Sequence, residues 1–334
     1  MELIGRKEEK RALEMALASN RAELVAVIGR RRVGKTFLVR SVYGSRIVFE
    51  ISGLQKGNTK AQLQNFALAL RYSGLDDAME TPRNWMQAFF DLSRLIEQRA
   101  YREKVVLFFD EFPWLATRRS DFLQGFSFFW NSWAVKKNVV VVICGSAASW
   151  MIHKVINDRG GLHNRVTRLL HLAPFNLREA EQFLHARGIY YPHFQTLELY
   201  LALGGIPMYL ELLEPGLSPT ENIHRLCFEP SGYLRQEFQN LYAALFERCE
   251  AHIAVVRALA AKRQGMNREA LLRATKLTDG GAFSQVLDEL TLSGFIGRFG
   301  AYGKKKRDAV YRLIDAYSLF YLNFIEEALL NPTA

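Results

Sequence analysis

Residues 23–43 read ELVAVIGRRRVGKTFLVRSVY, and this stretch contains the pattern that decides the fold. Residues 23–28 are mostly apolar and rich in β-branched side chains, which is typical of a strand buried on both faces of a parallel sheet. Residues 29–36 match the pattern G-x-x-x-x-G-K-[ST], and residues 37–43 continue with helical spacing. A strand, a glycine-containing loop and a helix in this order predict a phosphate-binding loop.

The residue types in this loop suit ATP or ADP with Mg²⁺. Backbone N–H groups and the helix N-terminus form a concave anion site, Lys35 reaches the β- and γ-phosphates, and the Thr36 hydroxyl is a Mg²⁺ ligand. The three consecutive arginines add positive potential around the phosphates, although Arg32 is equally suited to a structural ion pair. The alternative is a glycine-rich turn with an unrelated lysine. The residues expected at the nucleotide are Gly29, Arg30, Arg31, Arg32, Val33, Gly34, Lys35, Thr36 and Phe37.

A second acidic element follows some 75 residues later. Residues 105–111 read VVLFFDE, an apolar strand that ends in Asp110 and Glu111. Asp110 is predicted to hold Mg²⁺ through water, and Glu111 is predicted to act as the general base on the attacking water. The alternative is that both acids merely begin a loop or cap a helix. The acidic pair favours hydrolysis over phosphoryl transfer to a second substrate, and a kinase fits it poorly.

Further strands complete a predicted α/β fold. Residues 139–146, VVVVICGS, predict a strand that brings Ser146 beside the γ-phosphate, between the loop strand and the Asp-Glu strand. The alternative for Ser146 is a Gly-Ser turn. Residues 46–51 and 168–175 are also strand-like. Alternation of strands with helical segments predicts a parallel P-loop sheet with helices on both faces.

The overall composition agrees with a globular chain of two or three domains. The 334 residues include 44 Lys and Arg against 34 Asp and Glu, which gives a formal net charge of +10. No apolar run is long enough for a membrane span, and the charged N-terminus does not resemble a signal peptide. The three cysteines form no C-x-x-C pair, so neither a disulfide framework nor a zinc site is indicated. These features predict a cytoplasmic protein without a membrane partner.

The last third of the chain changes character after residues 214–220, EPGLSPT. Three helical segments precede two strand-like segments joined by a basic turn, the order typical of a winged helix-turn-helix. Residues 245–315 contain 13 Lys and Arg against 8 Asp and Glu. The predicted tip of the wing holds Lys304, Lys305, Lys306 and Arg307, which suit contacts with the phosphates of double-stranded DNA. Alternatively, the turn is only solvated and the domain packs on a protein partner.

Six segments resemble, in order, one known family. The chain is similar over residues 3–330 to the prokaryotic AAA+ ATPases often called archaeal-type ATPases, which are related to the STAND and NB-ARC class. The segments are GRKEE (5–9), GRRRVGKT (29–36), LFFDEFPWL (107–115), ICGSAASWM (143–151), LHNRVTRLLHLAPFNLREA (162–180) and ALGGIPMYLELL (202–213).

This resemblance implies roles for residues outside the phosphate loop. Ile4, Gly5 and Arg6 match a segment that runs over the adenine, and Pro207 matches a lid proline that packs on the base. Arg165 matches an arginine proposed to reach the γ-phosphate of a neighbouring subunit. Its alternative role is an ion pair with Asp158 or a helix cap. Arg159 and Arg168 are the other candidates for the arginine finger.

Together these features predict three domains and two candidate functions. The domains are an ATPase core over residues 1–175, a helical lid over 176–240, and a winged-helix domain with a C-terminal helix over 241–330. In the first function, a homo-oligomer hydrolyses ATP with Mg²⁺ and acts on DNA through the winged helix. In the second, the chain is a slow ATP/ADP switch that regulates assembly with protein partners, and the winged helix does not bind DNA.

Overall fold

The computed structural model describes residues 3–74, 80–157, 160–246, 248–300 and 309–330. The chain folds into two compact units: Met1–Ile28 with Lys35–Leu172, and Gly29–Gly34 with Ala173–Ala334. The predicted lid and winged-helix segments, assigned above to separate domains, thus fall in one unit, together with most of the phosphate loop. Within the described ranges, no helix has both the length and the apolar character needed to cross a bilayer.

The first unit alternates helices and strands along the chain. Its elements are α1 (Lys7–Ala18), β1 (Glu23–Ile28), α2 (Lys35–Tyr43), β2 (Ile47–Ser52), α3 (Thr59–Tyr72), α4 (Trp85–Arg102), β3 (Val105–Asp110), α5 (Phe112–Leu115), α6 (Phe122–Ser132), β4 (Val139–Gly145), α7 (Ala148–Met151) and β5 (Arg168–His171).

These strands form a parallel sheet in the order β2-β3-β4-β1-β5. Every residue of β1, β3 and β4 is buried, which is why these three strands are almost continuously apolar. The edge strand β5 is partly exposed and ends at His171, although the strand-like run continues to residue 175. Leu172 N–H still donates to Ile28 O at 2.7 Å, but Pro174, the next residue on the bonding side, has no N–H. The predicted parallel sheet with helices on both faces is confirmed.

An aromatic cluster supports the end of β3. The ring of Phe109 lies 5.6 Å from the rings of Phe49 and Phe126 and 6.0 Å from that of Phe89. Each such ring pair contributes about 0.5–1.5 kcal/mol beyond the burial of its surface. Because Phe109 directly precedes Asp110, this packing fixes the position at which the acidic pair leaves the sheet.

The second unit is mainly helical. Its elements are α8 (Leu177–Ala186), α9 (His193–Leu203), α10 (Pro207–Glu211), α11 (Pro219–Cys227), α12 (Glu237–Leu245), α13 (Glu250–Ala261), β6 (Met266–Asn267), α14 (Arg268–Thr275), α15 (Gly281–Leu292), β7 (Ile296–Phe299), β8 (Val310–Leu313), α16 (Ala316–Phe320) and α17 (Glu326–Leu330). Capping boxes at Asn176 and Ser218 begin α8 and α11, each with a glutamate three residues later.

The second unit also contains an antiparallel sheet of order β6-β8-β7. The succession α13, α14, α15, β7 and β8 is the order of elements predicted from the sequence. The two-residue strand β6 pairs Met266 with Tyr311 and was not predicted, since two residues carry no periodicity. Residues 301–308, between β7 and β8, lie outside the described ranges.

Gly205 stands where two backbone segments touch. Phe175 N–H donates to Gly205 O at 2.7 Å, and Tyr200 Oη donates to Phe175 O at 2.9 Å. A Cβ atom on Gly205 would lie only 1.8 Å from Phe175 O. Because the obstacle is backbone, it cannot move aside as the end of a flexible side chain would.

We therefore expect Gly205→Ala to destabilise the second unit by about 1–3 kcal/mol, the usual cost of overpacking. Gly281→Ala is the matched control, since a Cβ at this first residue of α15 meets no atom within 4 Å. The control should be neutral or slightly stabilising, because alanine favours helices. Urea unfolding measures both variants, and equal midpoints would contradict the close approach at Gly205.

Candidate functional site

The phosphate loop connects β1 to α2, as the sequence predicts. Gly34 has a φ of +89° and Arg32 a φ of +72°. The first is easy for glycine, whereas the second is uncommon for a residue with a Cβ and requires support from its surroundings. Lys35 is the first residue of α2, and only 6% of it is exposed. Val33 is also buried, while Phe37 is exposed on α2.

Thr36 and Asp110 lie together in the first unit. Thr36 Oγ1 donates to Asp110 Oδ2 at 2.7 Å, and the other carboxylate oxygen of Asp110 accepts from the N–H of Glu111 at 3.0 Å. A hydroxyl and a carboxylate at this separation are hard oxygen ligands, the donor set that Mg²⁺ prefers. These two residues therefore fit Mg²⁺, which commonly takes one or two protein ligands and completes its shell with water and phosphate. Among the described residues, no group of three or more His, Cys, Asp or Glu could form a separate metal site.

Glu111 and Ser146 are also in contact. Ser146 Oγ donates to Glu111 Oε2 at 2.8 Å, and Ser146 N–H lies 3.4 Å from the same oxygen. Strand β4, which ends just before Ser146, lies between β1 and β3, so the predicted neighbourhood of Ser146 is correct at the level of strand order. Glu111 has a left-handed backbone with a φ of +43°. Non-glycine residues in this region often occur at functional sites.

Arg30 forms a buried ion pair with Asp315 in the second unit. The Arg30 side chain is 2% exposed, and its Nη1 donates to Asp315 Oδ1. Its guanidinium also lies 4.5 Å from the centre of the Phe295 ring. Burial alone lowers the pKa of a guanidinium, but the carboxylate of Asp315 outweighs this effect and raises the pKa of Arg30. Removing one member of such a pair typically costs about 3–5 kcal/mol, because the other charge stays buried without compensation.

Arg32 forms a second ion pair in the same unit, with Glu237 at the start of α12. The carboxylate of Glu237 also accepts a hydrogen bond from Tyr209 Oη at 3.0 Å, and the Arg32 guanidinium lies over the ring of Tyr233 at 5.3 Å. Burial alone lowers the pKa of Arg32. The hydrogen bond with Glu237 and the charge of that carboxylate outweigh burial, so the pKa of Arg32 is raised. The ion-pair alternative for Arg32 is thus the arrangement found.

These two ion pairs change the electrostatics expected for the loop. The charges of Arg30 and Arg32 are compensated by carboxylates, whereas Arg31 is half-buried and has no ion pair among the described residues. Arg31 is therefore the loop arginine best suited to raise the potential near the phosphates. Asp315 and Glu237 could not be predicted as partners of the loop, because no local sequence pattern connects a loop to residues more than 200 positions away.

The N-terminal and lid residues are placed separately in the two units. Gly5 and Arg6 adopt left-handed backbones just before α1, and Arg6 lies 3.8 Å from the carboxylate of Glu9. Ile4 is half-buried. In the second unit, Pro207 begins α10, a position where its missing N–H costs nothing.

The arginine-finger candidates differ in their surroundings. Arg165 is exposed in the turn before β5 and has no ion pair within the described ranges. Arg168 lies 3.6 Å from Glu23, at the amino ends of β5 and β1 and thus at the opposite end of the sheet from the acidic pair. Arg159 and Asp158 lie outside the described residues, as do the wing residues Lys304, Lys305, Lys306 and Arg307.

Solved structures share this fold over nearly the whole chain. A Walker-type ATPase of Pyrococcus abyssi superposes with a TM-score of 0.69 at 18% identity, over 96% of each chain. The ORC2 protein of Aeropyrum pernix, solved as ADPNP and ADP complexes, gives a TM-score of 0.53 at 16% identity, over 98% of this chain and 96% of that protein. At these identities the likeness concerns the fold alone.

Among curated proteins, an uncharacterized protein of Methanocaldococcus jannaschii is 25% identical over 258 residues. The match covers 77% of this chain and 54% of the relative, so the chain spans about half of that protein's length.

A family of sequences described as an ATPase domain predominantly from Archaea matches residues 3–213, well over half of the chain. The matched range contains the phosphate loop, the acidic pair, Ser146 and Pro207. With this match, the chain belongs to that family of archaeal ATPase domains.

Proposed function

We propose that the chain binds ATP with Mg²⁺ and hydrolyses it. The observation that carries this proposal is the contact of Thr36 with Asp110 at 2.7 Å, with Glu111 as the next residue. Thr36 and Asp110 would hold Mg²⁺, which when bound neutralises charge on the phosphate oxygens. Lys35 would offset the charge that develops on the γ-phosphate.

Glu111 would take the proton from the attacking water. Its second oxygen, Oε1, is the one not engaged by Ser146, so a water molecule has an acceptor on the same carboxylate. Ser146 holds the carboxylate in one orientation, which is a requirement for efficient proton transfer. Arg165, exposed at the surface, would act from a neighbouring subunit of a homo-oligomer, and Ile4, Gly5 and Arg6 would contact the adenosine part.

We further propose that residues 241–330 form a winged-helix domain that binds double-stranded DNA through the phosphate backbone. The antiparallel pairing of β7 with β8 after three helices supports the winged-helix assignment. Arg298 and Arg312 are exposed on these two strands and add to the charge of the wing residues 304–307. Because α15 contributes Asp288 and Glu289 and no basic residue, contact with phosphates is favoured over base readout.

The second candidate function is a slow nucleotide switch. Two features favour it: the hydrogen bond that already engages Glu111, and the ion pairs that hold Arg30 and Arg32 within the second unit. A switch would retain ADP through purification and turn over ATP very slowly, with a protein partner as its output. An ATP-driven machine on DNA would instead release ADP and respond to DNA.

Lys35→Ala should weaken ADP and ATP binding on the order of 100-fold, equivalent to about 2.7 kcal/mol, because the charge nearest the β- and γ-phosphates is lost. Titration calorimetry measures the affinity. Lys60→Ala, an exposed lysine at the start of α3, is the matched control and should bind as the wild type does. Unchanged affinity in Lys35→Ala would refute the site.

Glu111→Gln should keep nucleotide affinity within about threefold but lower kcat by about 10²–10⁴-fold, the usual contribution of a general base. Steady-state phosphate release measures kcat, and Glu8→Gln on the exposed face of α1 is the control. If Glu111→Gln turned over ATP at the wild-type rate, another group would have to be the base.

Duplex DNA should stimulate ATP hydrolysis at low salt, and the stimulation should fade as salt rises. Replacing Lys304, Lys305, Lys306 and Arg307 by alanine should remove up to four phosphate contacts and reduce the slope of log affinity against log salt by about 3–4. A double Lys56→Ala, Lys60→Ala variant removes two exposed charges away from the wing and shows how much of the effect comes from net charge alone. If DNA changes neither turnover nor its salt dependence, the switch is the better description.

A further inference from the structure

Two of the three arginines of the phosphate loop form ion pairs within the second unit. Arg30 and Arg32 occupy the first and third variable positions of G-x-x-x-x-G-K-[ST], and each forms an ion pair with a carboxylate more than 200 residues further along the chain. The carboxylates are Asp315 at the start of α16 and Glu237 at the start of α12. We refer to these four residues as the loop clamp.

Backbone geometry supports a positioning role for the clamp. Arg32 has a φ of +72°, a conformation that a non-glycine residue keeps only where its surroundings enforce it. Here the Arg32 side chain is held by Glu237 and by the ring of Tyr233. The loop presents its backbone N–H groups to phosphates only in the right conformation, so whatever holds Arg32 also determines how well the anion site is formed.

Both carboxylate oxygens of Asp315 accept hydrogen bonds inside the second unit. Its Oδ2 accepts from the N–H of Ser318 at 2.9 Å and so caps α16, while its Oδ1 accepts from Arg30. Ser318 Oγ is 3.1 Å from Tyr242 Oη, and Tyr209 Oη donates to Glu237. A shift of α16 or α12 therefore moves a carboxylate away from a loop arginine, and a buried guanidinium cannot stay in place without its partner.

We infer that Asp315 and Glu237 are positioning residues for nucleotide binding, acting through Arg30 and Arg32. This inference rests on the proposed function, since it concerns the affinity of the same loop for ATP and ADP. The clamp makes that affinity depend on where α12 and α16 lie. By linkage, a bound nucleotide must stabilise the position of these two helices to the same extent.

The decisive variant is Asp315→Asn. Asparagine caps a helix as well as aspartate does, so α16 keeps its cap while Arg30 loses its counter-charge. The dissociation constant for ADP, measured by titration calorimetry, should rise by about tenfold or more. Asp279→Asn, which removes the partner of Arg268 from an exposed pair in the same unit, is the matched control and should leave the constant unchanged.

A loss of stability alone must be distinguished from a loss of positioning. The double variant Arg30→Met, Asp315→Asn removes both buried charges and keeps the cap of α16, and replacing a buried ion pair by uncharged side chains often restores or increases stability. The ADP dissociation constant should nevertheless remain raised, with the urea midpoint at or near the wild-type value. If affinity recovers together with stability, the pair is only structural and the inference is overturned. Should either Asp315 variant fail to fold, Glu237→Gln supplies the same comparison through the less buried Arg32.

Two further results complete the test. If wild-type protein binds no ADP, the proposed function fails, whatever the clamp does. If the wild type binds ADP, Lys35→Ala does not, and Asp315→Asn and Glu237→Gln both bind as the wild type does, the clamp alone is refuted. Hydrogen exchange gives the reciprocal measurement: ADP should slow exchange at the Ser318 amide in the wild type and leave it unchanged in Asp315→Asn.

Discussion

Parallel strands need a crossover between each pair, and the carboxyl ends of the strands therefore meet along one edge of the sheet. This constraint determines where the chemistry of the first unit lies. Strand β4 stands between β1 and β3, so the residues that follow these strands become neighbours although they are far apart in the chain. The contacts of Thr36 with Asp110 and of Glu111 with Ser146 are direct results. The buried aromatic rings behind β3 keep that edge in place.

A second constraint acts on the loop itself. A guanidinium removed from water needs a carboxylate close by, and Arg30 and Arg32 each have one. From the sequence, Arg30 and Arg32 are expected near the phosphates. In the structure their charges are neutralised by carboxylates, and these ion pairs stabilise the conformation of the loop. Arg31, in contrast, has no ion pair among the described residues. Neighbouring residues of one motif therefore differ in their surroundings: Arg30 and Arg32 are held by ion pairs, and Arg31 between them is not.

Much of the fold and the acidic pair could be predicted from local sequence, for identifiable reasons. Strands covered on both faces need continuous apolar runs, which β1, β3 and β4 have. The phosphate loop has a specific residue pattern, G-x-x-x-x-G-K-[ST], between a strand and a helix. The end of β5 could not be predicted from apolar character, since it depends on a missing N–H at Pro174. The partners of Arg30 and Arg32 could not be predicted, because an ion pair between residues more than 200 positions apart produces no periodic pattern in the sequence. The same is true of the grouping of most of the loop with the second unit.

The ion pair of Arg30 with Asp315 joins residues 285 positions apart. During translation at about 5–20 residues per second, roughly a quarter of a minute to a minute passes between the synthesis of one partner and the other. Throughout that interval Asp315 has not been made. Burying Arg30 without it would be costly, so Arg30 remains hydrated. The loop therefore acquires its final shape late, after α12 and α16 have been made. A ribosome-bound chain that already contains all five strands of the parallel sheet therefore still lacks the ion pair that holds Arg30 in the phosphate loop.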